Sequence, residues 1–235
     1  MTKLAESVVL VTGANGGLGT EFVRQALARG ARRVYATART PRAWDDDRVV
    51  TLALDVTDGT SVADAAAAAD DTTIVINNAG GTAGSSLLTA SLDEVRAAYE
   101  TNVFGPIAVA QAFAPVLARN GGGTLIDIHS ALSWLAMPGA YSSTKAALWS
   151  VTNTLRLELA AQGTQVIGAH LGYTDTPMTA TLDVDKADPR DIVAAIYDGL
   201  EAGEAEILAD DTSRWVKQQL SKPLTALYPQ LAPAQ

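Results

Sequence analysis

The sequence predicts an α/β fold built on one doubly wound parallel β-sheet flanked by helices, and three observations predict it. Short runs rich in Val, Ile and Leu alternate with longer helical stretches along the 235 residues. Those runs lack the polar alternation of half-exposed strands, as expected for strands buried on both faces. A glycine cluster follows the first run at once, at the point where a strand turns into a helix.

Residues 7–11 are the first expected strand, and 19–29 the first helix, closed by Gly30. Residues 33–36 and 49–54 are the next two strands, with the acidic run at 45–47 read as a solvated turn between them. An alanine run of high intrinsic propensity supports a helix over 61–69, and a strand follows at 73–76. A long helix over 91–119 closes near Gly121, and the fifth strand spans 123–129. The helix over 141–162 closes on Gly163 before a strand at 165–170. Asp188-Pro189 opens a helix over 189–202, and 205–208 is a weaker last strand. Strands alternating with helices are βαβ units, whose right-handed crossovers give a parallel sheet. With no internal repeat or linker-like stretch, residues 1–235 are expected to form a single domain.

Composition removes several classes of function. Hydrophobic residues are 48% and charged residues 18%, enough apolar content for a core and too little charge for wholesale disorder. The absence of cysteine removes disulfides, thiol catalysis and thiolate metal sites, and no metal is expected. A formal charge of −9 suits a phosphate backbone poorly, so nucleic acid is not an expected partner. The most apolar stretch, 103–118, is interrupted by Gly105, Pro106, Gln111 and Pro115 and is not expected to enter a membrane. The apolar run at 8–11 is too short for a signal-peptide core, so the chain reads as soluble and cytoplasmic.

The chemistry begins at Thr12-Gly13-Ala14-Asn15-Gly16-Gly17-Leu18-Gly19. Glycines there permit a tight turn and close approach of the backbone to a pyrophosphate, while the N–H groups of the new helix face the anion. Two further motifs follow in the chain, Asn77-Asn78-Ala79-Gly80 and Tyr141-Ser142-Ser143-Thr144-Lys145. Tyr141 and Lys145 are four residues apart at a helix start and so share one face. A free phenol has a pKa of about 10, but a cation within about 4–6 Å favours the phenolate. A phenol tuned in this way can exchange a proton with an alkoxide.

With these three motifs in order, the chain from about residue 8 to 178 resembles the short-chain dehydrogenase/reductase family. The resemblance implies a Rossmann-like sheet, a nicotinamide cofactor, and commonly a homodimer or homotetramer. Gly13, Asn15, Gly17, Leu18 and Gly19 then fall at the pyrophosphate. Asp55 and Val56 fall at the adenine, and Asn77, Ala79 and Gly80 at the ribose. Tyr141 and Lys145 join the cofactor set, and Thr176 falls where a threonine commonly binds the nicotinamide amide. No carboxylate stands at the turn after the second strand, and Arg39 would attract a 2′-phosphate, so NADP(H) is favoured. NAD(H) stays open, because Asn15 and Gly16 stand where the family commonly has a second basic residue.

The same resemblance makes Tyr141 the general acid/base and Lys145 the residue that lowers its pKa. Ser130 would orient the substrate oxygen, and Asn102 would anchor a water that links Lys145 to solvent. Ser130 and Tyr141 are eleven residues apart, two fewer than is usual, which places a shortened loop over 134–140 on the substrate side. Leu171-Gly172 stand where the family usually has Pro-Gly, and Gly172 is expected to keep the freedom that close cofactor approach needs. Trp134, Leu135, Met137, Tyr173, Met178, Leu182 and Val184 suggest an apolar pocket for a bulky carbonyl or alcohol substrate. Residues 173–190 are the expected lid. The tail 222–235, with Pro223, Pro229 and Pro233, cannot be a regular helix. Apolar stretches at 103–117 and 146–159 are hydrophobic around much of their circumference, which favours a homo-oligomer. The other class of function is a sensor or scaffold that binds NADP(H) with impaired catalysis.

Overall fold

The computed structural model describes residues 2–82 and 86–232. Its strands are β1 (Val8–Thr12), β2 (Arg33–Ala38), β3 (Val49–Ala53), β4 (Ile74–Asn77), β5 (Thr124–Ile128), β6 (Gln165–His170) and β7 (Glu206–Leu208). They form one parallel sheet in the order β3-β2-β1-β4-β5-β6-β7. Every expected strand is present, with ends moved by at most two residues. The order runs one way from β1 to β3 and the other way from β4 to β7, so a crevice opens at the carboxyl ends of β1 and β4.

The helices are α1 (Gly17–Ala28), α2 (Gly59–Ala68), α3 (Leu92–Tyr99), α4 (Gly105–Arg119), α5 (Tyr141–Glu158), α6 (Pro189–Ala202) and α7 (Asp211–Gln219). Alternate residues of β1 serve the two cores. Val9 and Val11 pack with Phe22 and Val23 of α1 and Ile192 and Ile196 of α6. Val8 and Leu10 pack with Val62 of α2 and Val109 and Phe113 of α4. This two-sided burial is why β1 shows no polar alternation. Across the first layer, the buried Tyr197 hydroxyl donates to the Phe22 carbonyl at 2.8 Å, tying α6 to α1.

Three expectations are corrected. The helix over 91–119 is broken by a π-helical turn, Glu100–Phe104, between α3 and α4. The helix from Tyr141 ends at Glu158, and a 3-10 turn, Ala160–Gln162, carries the chain to Gly163 at φ +76°. Helix α7 was not expected at all. Its start is a capping box in which Asp210 Oδ1 accepts from the Ser213 N–H at 2.7 Å. The stretch Leu92–Arg119 is by length and composition able to cross a membrane, yet Val109, Phe113, Val116 and Leu117 fill the core against the sheet. Among its described residues the tail forms only 3-10 turns, Leu224–Ala226 and Pro229–Leu231, as its prolines dictate; Pro233 lies outside them.

Candidate active site

The glycine turn lies at the switch point. Gly13 and Gly17 have φ of +68° and +51°, conformations that side chains rarely adopt. A Cβ on Gly19 would stand 2.2 Å from the Gly13 carbonyl oxygen, so close packing of helix on turn requires glycine there. Helix α1 starts at Gly16 with no side-chain cap and no acidic residue in its first turn, and a Cβ on Gly16 would meet open space. The positive end of α1 thus faces open space with its amides free of side chains, which fits a pyrophosphate. Thr176 reaches the same place: its side chain lies 3.2 Å from where a Gly17 Cβ would be.

Two of the expected cofactor residues have other work. Asn77 is buried, and its amide donates to Asp127 Oδ1 at 2.8 Å and to the Pro106 carbonyl at 3.4 Å. It braces β4 against β5 beneath the site. The Asn15 side chain donates to the Thr40 carbonyl at 2.7 Å and accepts from the Arg42 N–H at 3.3 Å, so it pins the loop after β2. Ala79 N–H donates to Thr12 Oγ1 at 2.9 Å, and Gly80 abuts Asn102, so this strand end is locked to the turn. Leu18 packs on the core below, and Val56 lies under Gly105 of α4. Asp55 is held below the usual carboxylate range by the Thr57 N–H and hydroxyl, with a smaller pull from Arg39. Arg39 itself is exposed at the end of β2.

Tyr141 opens α5, and Lys145 sits one turn on, buried at 6% exposure. The Lys145 ammonium donates to the Ile128 carbonyl at 2.7 Å and lies 5.8 Å from the Tyr141 ring centroid. Burial pushes Lys145 down to about 8, with Asp127 opposing the shift. For Tyr141 the expected depression is reversed in the folded chain. Burial pushes the phenol up to about 12, and the Ser130 hydroxyl that pairs with it pulls the other way. Desolvation of a phenolate therefore outweighs any attraction to an ammonium aimed at a main-chain carbonyl. Ser130 also caps the 3-10 turn Ala131–Ser133, accepting from the Leu132 N–H at 3.1 Å. Asn102 lies inside the π turn, 1% exposed; its amide donates to the Gly81 carbonyl at 2.8 Å and to Thr144 Oγ1 at 3.1 Å. Its Oδ1 accepts from the Gly81 N–H at 2.9 Å. Ser130, Tyr141, Lys145 and Asn102 thus converge from three elements on the crevice that the glycine turn enters.

The model of the short chain dehydrogenase family matches residues 7–187. The chain belongs to the short-chain dehydrogenase/reductase family. It is accordingly an oxidoreductase, a dehydrogenase or reductase that uses a nicotinamide cofactor. An uncharacterized oxidoreductase of Staphylococcus aureus (strain N315) is 31% identical over 211 residues, 83% of this chain and 91% of that one. A short-chain dehydrogenase of Burkholderia cenocepacia J2315, solved in complex with NADP, is 35% identical. It superposes with a TM-score of 0.93 over 99% of this chain and 100% of its own. A short-chain dehydrogenase from Streptomyces avermitilis is 28% identical, with a TM-score of 0.80 over 92% and 93% of the two chains.

Beyond β5, this short-chain dehydrogenase/reductase builds its site from side chains. Trp134, expected to line the substrate pocket, has its ring stacked on His170 at 3.9 Å and under the Lys217 ammonium at 4.5 Å. His170 in turn stacks on His129 at 4.7 Å, and His129 Nε2 meets Thr152 Oγ1 at 3.0 Å. Thr152 donates to Asp127 Oδ2 at 2.6 Å, so a buried chain of polar groups runs from the floor under Lys145 to Glu206 and Lys217 at the surface. Gly172 also makes room for α7: a Cβ there would meet Thr212 Cβ at 2.8 Å. Tyr173 donates to Met137 Sδ at 3.2 Å, and the segment expected as a lid is tied at its base by a bridge between Thr174 and Ala187. Met178, on the 3-10 turn Pro177–Thr179, is 46% exposed.

Sequence reasoning missed two residues here. Arg42 donates to Thr20 Oγ1 at 3.2 Å and lies 4.3 Å over the Trp44 ring, which folds it back onto the first turns of α1. Tyr228, from the tail, accepts a hydrogen bond from the Ala136 N–H at 2.7 Å. The charge of Arg42, three residues after Arg39, was a usable signal for the first; no local pattern points to the second.

Proposed function

We propose that the chain is an NADP(H)-dependent oxidoreductase that interconverts a ketone and a secondary alcohol, with a bulky apolar carbonyl compound as substrate. The observation that carries this reading is buried Lys145 one helical turn from Tyr141, its ammonium 5.8 Å from the Tyr141 ring centroid, beside the open end of α1. When bound, the nicotinamide supplies or accepts the hydride. Ser130 Oγ holds the carbonyl oxygen against the phenol. Tyr141, protonated at neutral pH, gives its proton to that oxygen as it becomes an alkoxide. Lys145, whose pKa of about 8 lets it titrate near neutrality, returns the proton and positions the ribose. Asn102 and its π turn hold the far side of this relay in place.

Two cations support the choice of NADP(H). Arg39 stands at the end of β2, where the turn itself carries no carboxylate to repel a 2′-phosphate. Arg42, brought beside Asn15, stands near the position of the basic residue that the glycine turn lacks. The NADP-bound relative from Burkholderia cenocepacia agrees with this preference. Met137, Met178, Leu182 and Val184, exposed at 45%, 46%, 41% and 46%, favour an apolar substrate. Phe104 and Leu157, exposed at 51% and 80%, favour a homodimer or homotetramer formed through the π turn and α5.

The test is oxidation of NADPH across aromatic, aliphatic, steroid-like and quinone carbonyls, with NADH in parallel. Turnover of a bulky ketone with NADPH is expected. Tight NADPH binding with no turnover on the whole panel would favour the sensor or scaffold instead.

A further inference from the structure

We propose that Tyr228, on the C-terminal tail, is a specificity-determining residue of the substrate site, closing the wall that the short loop between Ser130 and Tyr141 leaves open. The inference rests on the ketone-reducing reading above. Two backbone donors near the tip of that loop are held by side chains. The Ala136 N–H donates to the Tyr228 hydroxyl at 2.7 Å, and the Met137 N–H donates to Ser142 Oγ at 3.0 Å. From the expected lid, the Tyr173 hydroxyl donates to Met137 Sδ at 3.2 Å. Three separate segments, the tail, α5 and the lid, therefore grip two adjacent residues.

Tyr228 is 92 residues from Ala136, and the tail's own structure brings it there. The 3-10 turn Leu224–Ala226 precedes it, Pro229–Leu231 follows it, and its N–H donates to the Leu224 carbonyl at 3.0 Å. Pro229, between the two turns, prevents them from merging into a helix that would carry the tail away from the loop. A phenol bonded to the loop tip also brings its ring, half-buried, to the side where Met137 stands 45% exposed. The loop joins Ser130 to Tyr141, so the clamp sets how far its tip can swing from the gap between them. A shorter loop alone would leave that gap wider; the tail supplies the missing surface.

The test uses the full chain with Tyr228→Phe, which removes only the hydroxyl, and Tyr228→Ala, which removes the ring as well. Steady-state kinetics compare a small methyl ketone with a bulky aryl ketone, and fluorescence titration measures the Kd for NADPH. For the bulky ketone, KM is expected to rise about threefold in Tyr228→Phe and about tenfold in Tyr228→Ala. Its kcat, the Kd for NADPH, and KM for the small ketone are expected to stay within about twofold. Hydrogen exchange over 131–140 is expected to quicken in both variants while that of β1 and β4 is unchanged. An unaltered ratio of KM values between the two ketones overturns the proposal. So does a uniform loss of kcat, KM and cofactor affinity that tracks a lower Tm, the mark of a general brace. If the unmodified chain reduces no ketone, the ketone-reducing reading fails by itself. Exchange over 131–140 then decides the clamp, and unchanged protection in Tyr228→Phe overturns it.

Discussion

Between β1 and β4 the site is made of backbone, whereas beyond β5 it is made of side chains brought in from distant segments. On the first side, Gly13, Gly17 and Gly19 act by lacking a side chain, and Asn15 and Asn77 serve as braces. On the second, Ser130, Tyr141, Tyr173 and Tyr228 act through hydroxyls, above a buried stack of His129, His170 and Trp134. A site made of backbone tolerates no added atom where the chain closes on itself, as the 2.2 Å approach at Gly19 illustrates. A site made of side chains can change by single substitutions while the sheet stays as it is. The contrast places a backbone cradle on one half and the reacting hydroxyls on the other.

The halves meet at Tyr141, so the largest break is expected there. Tyr141→Phe should lower kcat about a thousandfold, the size of a lost general acid, while the Kd for NADPH stays within about twofold. Steady-state kinetics with a fluorescence titration check this. Full turnover in the variant would remove the phenol from the mechanism; an equal loss in cofactor affinity would move it to the backbone half.

Acid should break the substrate half next. Burial pushes His170 down to about 4, against the pull of the Ser130 carbonyl and Glu206, and Lys217 and Lys145 push the same way as burial. Burial also takes His129 well below its usual value, with His170, Lys145 and Arg156 adding to it. Both rings are therefore neutral in the folded chain, while an unfolded histidine titrates at about 6.5. Below that pH the unfolded chain binds protons that the folded chain does not. Stability should be level from about pH 7.5 down to about 6.5 and fall as pH drops towards 4, by up to about 1.4 kcal/mol per pH unit for each ring. Asp46 and Asp188, both held at about 2 by neighbouring arginines, titrate below this window. Urea midpoints from pH 7.5 to about 4.5, with His129→Gln/His170→Gln alongside, check it. An equally steep decline in the double variant would clear the stack of any part in acid sensitivity.

The same contrast explains what could be read from the sequence. A glycine turn has a spacing and a doubly buried strand has a composition, so the parallel sheet and the turn at Gly13 were legible. Tyr141 and Lys145 were legible because four residues span one helical turn. Helix α7 was missed because Trp215 and Leu220 are half-exposed and only Val216 is a fully buried apolar residue, which blurs its period; the Asp210–Ser213 box was its one clear signal. The π turn at Glu100–Phe104 alters the winding without altering composition. Gly172 matched a cofactor glycine in position and also yields space to Thr212. The raised phenol of Tyr141 depends on how deeply α5 buries it, and Tyr228 on Ala136 joins positions 92 apart. Neither is a property of local spacing.

The mildest test falls on the backbone half, at the two side chains through which it would choose between cofactors. Arg39 is exposed, with Asp55 as a weak electrostatic neighbour, so a 2′-phosphate would gain a charge-assisted hydrogen bond there. Arg42 is already engaged by Thr20 and by the Trp44 face, so turning it towards a phosphate means giving up those contacts. Solvent screens both. Arg39→Ala should therefore weaken NADPH about tenfold and Arg42→Ala about threefold, while NADH is unchanged in each. Calorimetry at two salt concentrations checks this, because a contact between exposed charges must fade as salt rises. If Arg39→Ala weakens NADPH and Arg42→Ala does not, Arg42 is a brace of the loop in the manner of Asn15. If neither variant discriminates between NADPH and NADH, the backbone half binds the part the two cofactors share and leaves the 2′-phosphate unread.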